Sequence, residues 1–329
     1  MDIELTAALQ GAKLQKWKDF LSRAGLEADL QVQRICLIWD EGEIIATGSR
    51  QDNLLKCIAV DAARQGEGLT ATLLTQLRQD AFAEGHSHLF LYTKPKNKYM
   101  FSSLFFYPVA QTADVLLMEN RKDGITEFID QMPVVCKEGK IGAAVMNCNP
   151  FTRGHRYLIE TAAKQCDHLY VFVLSEDKSE FSAEDRMAMV KLGTQDLPNV
   201  AVLPTGPYLI SSATFPTYFL KEREKAENVH CLLDIEIFSK YFVPKFGITD
   251  RFVGTEPLSP MTNMYNEALQ AHLPEKGIRL SQIPRLEESG TPVSASAVRA
   301  HLDDGNMDAL SKLVPQTTYE YLKSKSIVK

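Results

Sequence analysis

The sequence predicts an α/β protein, in which a doubly wound parallel-sheet domain at the C-terminal end is preceded by a separate α+β unit. Three observations carry this. From Ile141 onward, short apolar runs alternate with helical stretches, the pattern of a parallel sheet with helices on both faces. The first 130 or so residues instead crowd several strand-like runs behind a single helical stripe. The length of 329 residues is ample for two hydrophobic cores.

In the first unit, Leu14, Trp17, Phe20 and Leu21 mark one face of a helix. Residues 32–39 and 44–49 then flank Asp40-Glu41-Gly42-Glu43, a hairpin by pattern. Residues 55–60 form a further strand, and Leu69, Leu73, Leu74 and Leu77 line the next helix. Between them lies Gln65-Gly66-Glu67-Gly68-Leu69-Thr70, a glycine-bearing loop that opens a helix and offers backbone donors to an anion. Residues 89–93 are strand-like, and residues 101–107 are rich in aromatics. This layout resembles the GNAT acetyltransferase fold, whose Gln/Arg-x-x-Gly-x-Gly/Ala loop holds the pyrophosphate of acyl-CoA. Gln65 and Gly68 match that loop, with Thr70 where Gly or Ala is usual. Two roles stay open for the unit: acetyl transfer in its own right, or a binding module that presents a CoA-like prosthetic arm or fixes a partner. No base is marked by spacing, and His86 and His88, beside a turn, read as surface residues.

Residues 123–133 have a short helical look around Phe128 and Ile129, and place the boundary near 130, giving domains 1–130 and 131–329. Strand candidates in the second domain are 141–147, 168–174, 200–203, 229–233, 251–254 and 278–283. Helices are expected at 155–166, 182–193, 213–227, 235–245 and 263–272. Ligands of such a sheet sit at the carboxyl ends of its strands.

The chemistry starts where the run 141–147 ends. Asn149-Pro150-Phe151-Thr152-Arg153-Gly154-His155 follows it, and then Tyr157, Leu158, Ala162 and Cys166 recur at helical spacing. A loop opening a helix presents unpaired N–H groups and the positive end of the helix dipole, a seat for phosphate. Thr152 and His155 are placed to face one pocket, and Gly154 permits close backbone approach to a ligand. A second such place is Val293-Ser294-Ala295-Ser296-Ala297-Val298-Arg299. There Ser294 or Ser296 can cap a helix, and Arg299 in its first turn can reach a phosphate with a forked cation. Plainer readings stand beside these: His155 as an ordinary helix-start residue, Ser294 and Ser296 as caps only, Arg299 on a solvated face.

Together the two segments resemble the (His/Thr)-x-Gly-His and Ile-Ser-Ser-Thr-x-Ile-Arg signatures of the nucleotidyltransferase superfamily, which releases pyrophosphate from a nucleoside triphosphate. The resemblance implies catalytic roles for His155, Thr152 and Arg299, and nucleotide binding by Asn149, Gly154, Ser294 and Ser296; Asn149 stands where many members carry Asp. Gly254-Thr255-Glu256-Pro257 is similar to a turn that contacts adenosine in related enzymes, which adds Gly254 and Glu256. Ser182 to Asp185 reads as a capping box, and Lys178 and Arg186 either face the triphosphate or are surface charge. Ser211, Ser212 and Thr214 form a hydroxyl-rich segment that binds a small acid, unless Ser212 merely caps the next helix. Asp234 and Glu236, at the end of the run 229–233, are candidates to order magnesium, and no resident metal site is expected.

Composition sets the wider limits. A net charge of −6 gives no reason to expect non-specific nucleic-acid binding. Cys36, Cys57, Cys136, Cys148, Cys166 and Cys231 are scattered without a C-x-x-C pair and read as reduced core residues. No apolar run has membrane-spanning length and the N-terminus lacks the layout of a secretion signal, so the expected location is cytoplasmic. The order GNAT-like unit, Thr-x-Gly-His loop, Ser-Ala-Ser-Ala-Val-Arg segment resembles the citrate lyase ligase family over essentially the whole chain. That resemblance implies ATP with Mg2+, acetate, and the acyl carrier subunit of citrate lyase with its CoA-like thiol arm. The implied reaction acetylates that thiol through acetyl-adenylate, releasing AMP and diphosphate. Two alternatives are an adenylyltransferase making a dinucleotide coenzyme precursor, and a non-catalytic CoA-sensing module.

Overall fold

The computed structural model describes residues 1–177, 179–209, 218, 223–255, 260–288 and 290–325. Ser211, Ser212, Thr214, Glu256 and Lys178 lie outside the described residues. By internal contacts the chain forms two compact units, Met1–Gly124 with Pro216–Leu233, and Ile125–Phe215 with Asp234–Lys329.

The first unit is built on a seven-stranded sheet of β1 (Asp2–Thr6), β2 (Arg34–Asp40), β3 (Glu43–Gln51), β4 (Leu54–Val60), β5 (Phe90–Thr93), β6 (Tyr107–Gln111) and β7 (Leu116–Glu119), in the order β1-β2-β3-β4-β5-β7-β6. The expected hairpin is present: Asp40 pairs with Glu43 across Glu41 and Gly42, both at positive φ. On the sheet lie α1 (Gly11–Arg23), α2 (Leu69–Ala83) and the short α3 (Lys98–Ser103). Trp17 of α1 is fully buried and donates its indole N–H to Thr47 Oγ1 at 2.9 Å. Leu69, Leu73, Leu74 and Leu77 of α2 pack into the same core as Ile38, Leu55 and Leu91.

β4 and β5 run parallel, yet only Leu54–Phe90 and Leu55–Leu91 pair before they part. Where they part, β4 carries Cys57 in the left-handed region at φ 50°. Tyr218 closes the gap. Its hydroxyl donates to Tyr92 O of β5 at 2.9 Å and meets the Cys57 backbone of β4, while its own carbonyl accepts from Glu27 N at 2.7 Å. Burial holds this phenol well above the ordinary range, so it stays a donor.

The second unit holds a five-stranded, wholly parallel sheet: β8 (Ile141–Met146), β9 (His168–Val173), β10 (Val200–Pro204), β11 (Asp250–Gly254) and β12 (Arg279–Ile283), in the order β10-β9-β8-β11-β12. The chain winds outward from β8 to β10, then returns to the other side of β8. The switch point therefore lies at the carboxyl end of β8, where open α/β sheets bind ligands.

One face packs against α5 (Arg153–Ala163) and α6 (Ala183–Leu192) through Ala144, Val171, Phe252, Ile159 and Met189. On the other, Tyr170 and Phe172 of β9 meet Phe242 and Phe246. α4 (Gly124–Gln131), α7 (Arg223–Ile237), α8 (Val243–Phe246), α9 (Pro260–His272), α10 (Ala295–Asp303), α11 (Met307–Leu313) and α12 (Gln316–Ser324) complete the described α-helices, and a π-helical turn, Phe238–Phe242, joins α7 to α8.

One expected strand is absent. Residues 229–233 belong to helix α7. Five apolar-leaning residues in a row fit a strand or a buried helix equally well by periodicity. Here the helix formers on both sides, Glu224 and Lys225 before and Glu236 after, extend the segment to helical length. Asp234 and Glu236 are consequently in the last turn of a helix.

Candidate active site

α5 starts with its own side chains closing its end. Thr152 is the N-cap, and its Oγ1 accepts the His155 N–H at 3.2 Å. His155 returns the contact, because its Nδ1 accepts the Thr152 backbone N–H at 3.0 Å. This is a capping box with histidine in the place usually held by Glu or Gln. An Nδ1 that accepts a backbone N–H carries no proton, so the ring is the tautomer with hydrogen on Nε2. The Thr152 hydroxyl lies 2.9 Å from the same Nδ1. Burial, and then the positive charge of Arg285, push the His155 pKa down from 6.5 to about 4. At neutral pH the imidazole is thus an uncharged hydrogen-bond donor.

The second segment meets the first. Ser294 caps α10, accepting from Ala297 N at 3.1 Å. From α10, Arg299 sends Nη1 to the Asn149 carbonyl at 2.6 Å and Nη2 to Ser296 Oγ at 3.2 Å, with Glu180 Oε2 3.3 Å from Nε. A Cβ on Gly154 would stand 3.1 Å from the carbonyl oxygen of Val293. The close approach that demands glycine there is therefore to the neighbouring backbone of this segment. Asn149, whose peptide bond to Pro150 is cis, uses its side-chain oxygen to accept Phe181 N at 3.0 Å. Its two oxygens hold the surrounding loops together.

Gly254 ends β11 beside these loops, with its carbonyl accepting from Asn266 Nδ2 at 2.9 Å. Arg186 is neither surface charge nor turned to the cleft. It is fully buried and donates to the carbonyls of Leu174, Phe181, Asn147 and Glu176, bracing the ends of β8 and β9. Asp234 accepts from the Tyr265 hydroxyl, and Glu236 pairs with Lys276 at 2.7 Å. Among the described residues no group of three His, Cys, Asp or Glu side chains is placed to hold a metal.

Two residues escaped the sequence reading. Arg285 follows β12 at the carboxyl edge, its backbone N–H bonded to Thr255 Oγ1 at 3.2 Å, and its charge reaches His155. Its one sequence cue is a cation two residues after a strand. Glu180 precedes α6 and offered none.

The first unit carries its own cavity, of about 1050 Å³. Arg64, Gln65 and Gly68 line it beside the start of α2, with Lys94, Lys96 and Met100 after β5. Gly68 opens α2 at φ 77° with no side-chain cap.

A neutral histidine donor and a pinned arginine thus stand at the capped starts of two helices of an α/β domain, beside the carboxyl end of its central strand. Residues 141–322 match the model of the citrate lyase ligase C-terminal domain, and residues 5–101 that of the GNAT acetyltransferase family. The citrate (pro-3S)-lyase ligase of Klebsiella pneumoniae is 43% identical over 303 residues, covering 90% of this chain and 88% of that protein. That of Escherichia coli K12 is 37% identical over 322 residues, covering 96% and 92%. The chain belongs to the citrate lyase ligase family and is an enzyme. No helix among its described residues is long and apolar enough to cross a membrane.

Proposed function

We propose that this chain uses ATP and acetate to acetylate the thiol of the prosthetic arm on the acyl carrier subunit of citrate lyase, in the cytoplasm. An acetate oxygen attacks the α-phosphorus of ATP in line, and the bond to the bridging oxygen breaks, giving acetyl-adenylate and diphosphate. The thiol then attacks the acetyl carbonyl; a thioester forms, AMP leaves, and the thiol proton passes to solvent. Nε2–H of His155 and the N-terminal amides of α5 donate to the α-phosphoryl oxygens, where charge develops. Thr152 sets the tautomer. Arg299 with Ser296, and Arg285, hold the departing diphosphate, and magnesium bound with ATP offsets the remaining charge. Ser294, Asn149 and Gly154 shape this floor; Gly254 and Glu256 take the adenosine, and Ser211, Ser212 and Thr214 the acetate.

With the domain boundary near residue 130, the first unit acts as a holder of the arm. Its cavity of about 1050 Å³ joins basic residues to apolar walls, suiting a nucleotide-bearing thiol arm. Burial pushes the thiols of Cys36, Cys57 and Cys166 up to about 11, away from the reactive thiolate. The reaction needs no protein nucleophile.

The observation that carries this reading is the bond from Arg299 to Asn149, which sets both phosphate-seating segments on one floor. The test is incubation of the full chain with labelled acetate, ATP and purified deacetyl citrate lyase. Acetate-dependent AMP and label on the carrier thiol support it. AMP formation indifferent to acetate overturns it.

A further inference from the structure

We propose that the outer side of residues 98–105 is where the carrier protein docks, through an acidic and partly apolar face of its own. This rests on the reading that the cavity of the first unit houses the carrier's arm. One segment serves both: Lys94, Lys96, Met100 and Leu104 line the cavity, while Lys98, Tyr99 and Phe105 stand outside its lining. An arm anchored to a protein brings that protein against this rim.

Three features mark the rim as a binding surface. Tyr99 and Phe105 are 85% and 66% exposed, with Met100 between them 41% exposed, so apolar side chains gather in solvent within seven residues. The segment is also basic. Lys94, Lys96 and Lys98 fall within five residues, no Asp or Glu occurs from Gly85 to Ala113, and the whole chain is at −6. None of the three lysines makes an ion pair among the described residues, which leaves their charge for a partner.

The third feature is strain at Phe105. α3 ends in the double bond pattern of a Schellman cap, with Phe106 N to Phe101 O at 3.0 Å and Phe105 N to Ser102 O at 3.2 Å. Its left-handed position, at φ 64°, is held by Phe105. Glycine is the residue that takes this conformation without steric cost. A bulky aromatic there costs backbone energy, and its ring, left in solvent, returns little packing. Partner contact accounts for an aromatic at that point.

The test compares Lys98→Glu, Tyr99→Ser and Phe105→Gly with the parent chain. We expect each to raise KM for the holo carrier subunit about tenfold, since exposed aromatic and charged anchors dominate such surfaces. Acetate-dependent ATP–diphosphate exchange without carrier should stay at the parental rate. Phe105→Gly should also keep or raise the melting temperature, an outcome that separates lost docking from lost folding.

Dephospho-CoA serves as a carrier-free probe of the cavity. If it binds the parent and all three variants alike while the carrier's KM rises, docking at the rim stands. If it binds alike and the carrier's KM does not move, the docking proposal falls and the arm-holding reading survives. Failure of dephospho-CoA to bind the parent chain overturns the arm-holding reading, and the proposal with it. Loss of a dimer in Phe105→Gly, seen by sedimentation, would overturn the proposal in favour of self-association.

Discussion

Arg299 donates to the backbone carbonyl of Asn149 across 2.6 Å, although 150 residues separate the two in sequence. The bond joins the loop leaving the central strand β8 to the first turns of α10. A guanidinium has five N–H groups; here one goes to Asn149, one to Ser296 and one faces Glu180. The other two are not engaged by these three partners. The arginine is at once a strap between two loops and an oriented cation.

Replacing it separates these roles. Arg299→Ala should lower acetate-dependent ATP–diphosphate exchange by roughly 10²- to 10³-fold, the size of effect seen when one oriented donor is removed from a charge-stabilising site. Arg299→Lys keeps the charge but not the planar fork that addresses Asn149 and Ser296 through separate nitrogens, so it should recover only a small part. Full recovery with lysine would show that charge alone suffices.

His155 yields a prediction about pH. Its folded pKa, about 4, lies below the ordinary 6.5 because burial and Arg285 oppose the charged form. A depressed histidine pKa means that the unfolded chain binds the extra proton first as acid is added. Its contribution to stability is therefore fully present above about pH 6.5 and is lost as pH falls toward 4. Ring resonances followed by NMR should show His155 still neutral at pH 5.5, and the acid limb of turnover should not centre on 6.5 through this residue. His155→Ala should lower turnover by about 10²-fold or more with little loss of fold. Protonation of the ring near 6.5 would sink the donor role.

Much of this geometry could be read in the amino acids. Residues 141–147, then Pro150, Thr152 and Gly154, then apolar residues at helical spacing carry a strand, a turn and a helix in purely local signals, and the Ser294–Arg299 segment does the same. What escaped is non-local or chemically ambiguous. Arg285 gains its place only because the sheet sets β12 beside β11, and strand order is not written in any short window. The capping partner of Thr152 is a histidine, so the usual Glu or Gln cue is missing. The run 229–233 has no periodicity of its own to choose between helix and strand. Tyr218 is remote in sequence from the sheet whose gap it fills, and nothing around it announces that destination.

Gly154→Ala tests how tightly the two segments fit. The added methyl would lie 3.1 Å from Val293 O and 3.5 Å from Thr152 Oγ1, closer to the carbonyl than most Cβ atoms come. A backbone carbonyl cannot swing away alone, so the start of α10 must shift by a few tenths of an ångström. Displacement of that size at a reacting centre is costly to rate. We expect turnover to fall about 10-fold or more while the far-ultraviolet circular dichroism is unchanged. Unchanged turnover would mean that the Val293 segment does not form the floor of the site.

Tyr218→Phe probes the first unit. The ring would still fill the space between β4 and β5, but the hydrogen bond to Tyr92 O would be lost. A typical intramolecular hydrogen bond contributes about 0.5–1.5 kcal/mol, so the denaturation midpoint should fall accordingly. Tyr218→Ala removes the ring as well and opens a void where the strands part, for a loss of about 3–5 kcal/mol. Carrier-free ATP–diphosphate exchange should survive Tyr218→Phe, because that chemistry is assigned to His155, Arg285 and Arg299 in the second unit. The holding of the arm should not survive Tyr218→Ala, since the cavity wall itself is changed. Denaturation that leaves Tyr218→Phe indistinguishable from the parent would show that the phenol merely occupies the gap without tying its two strands together.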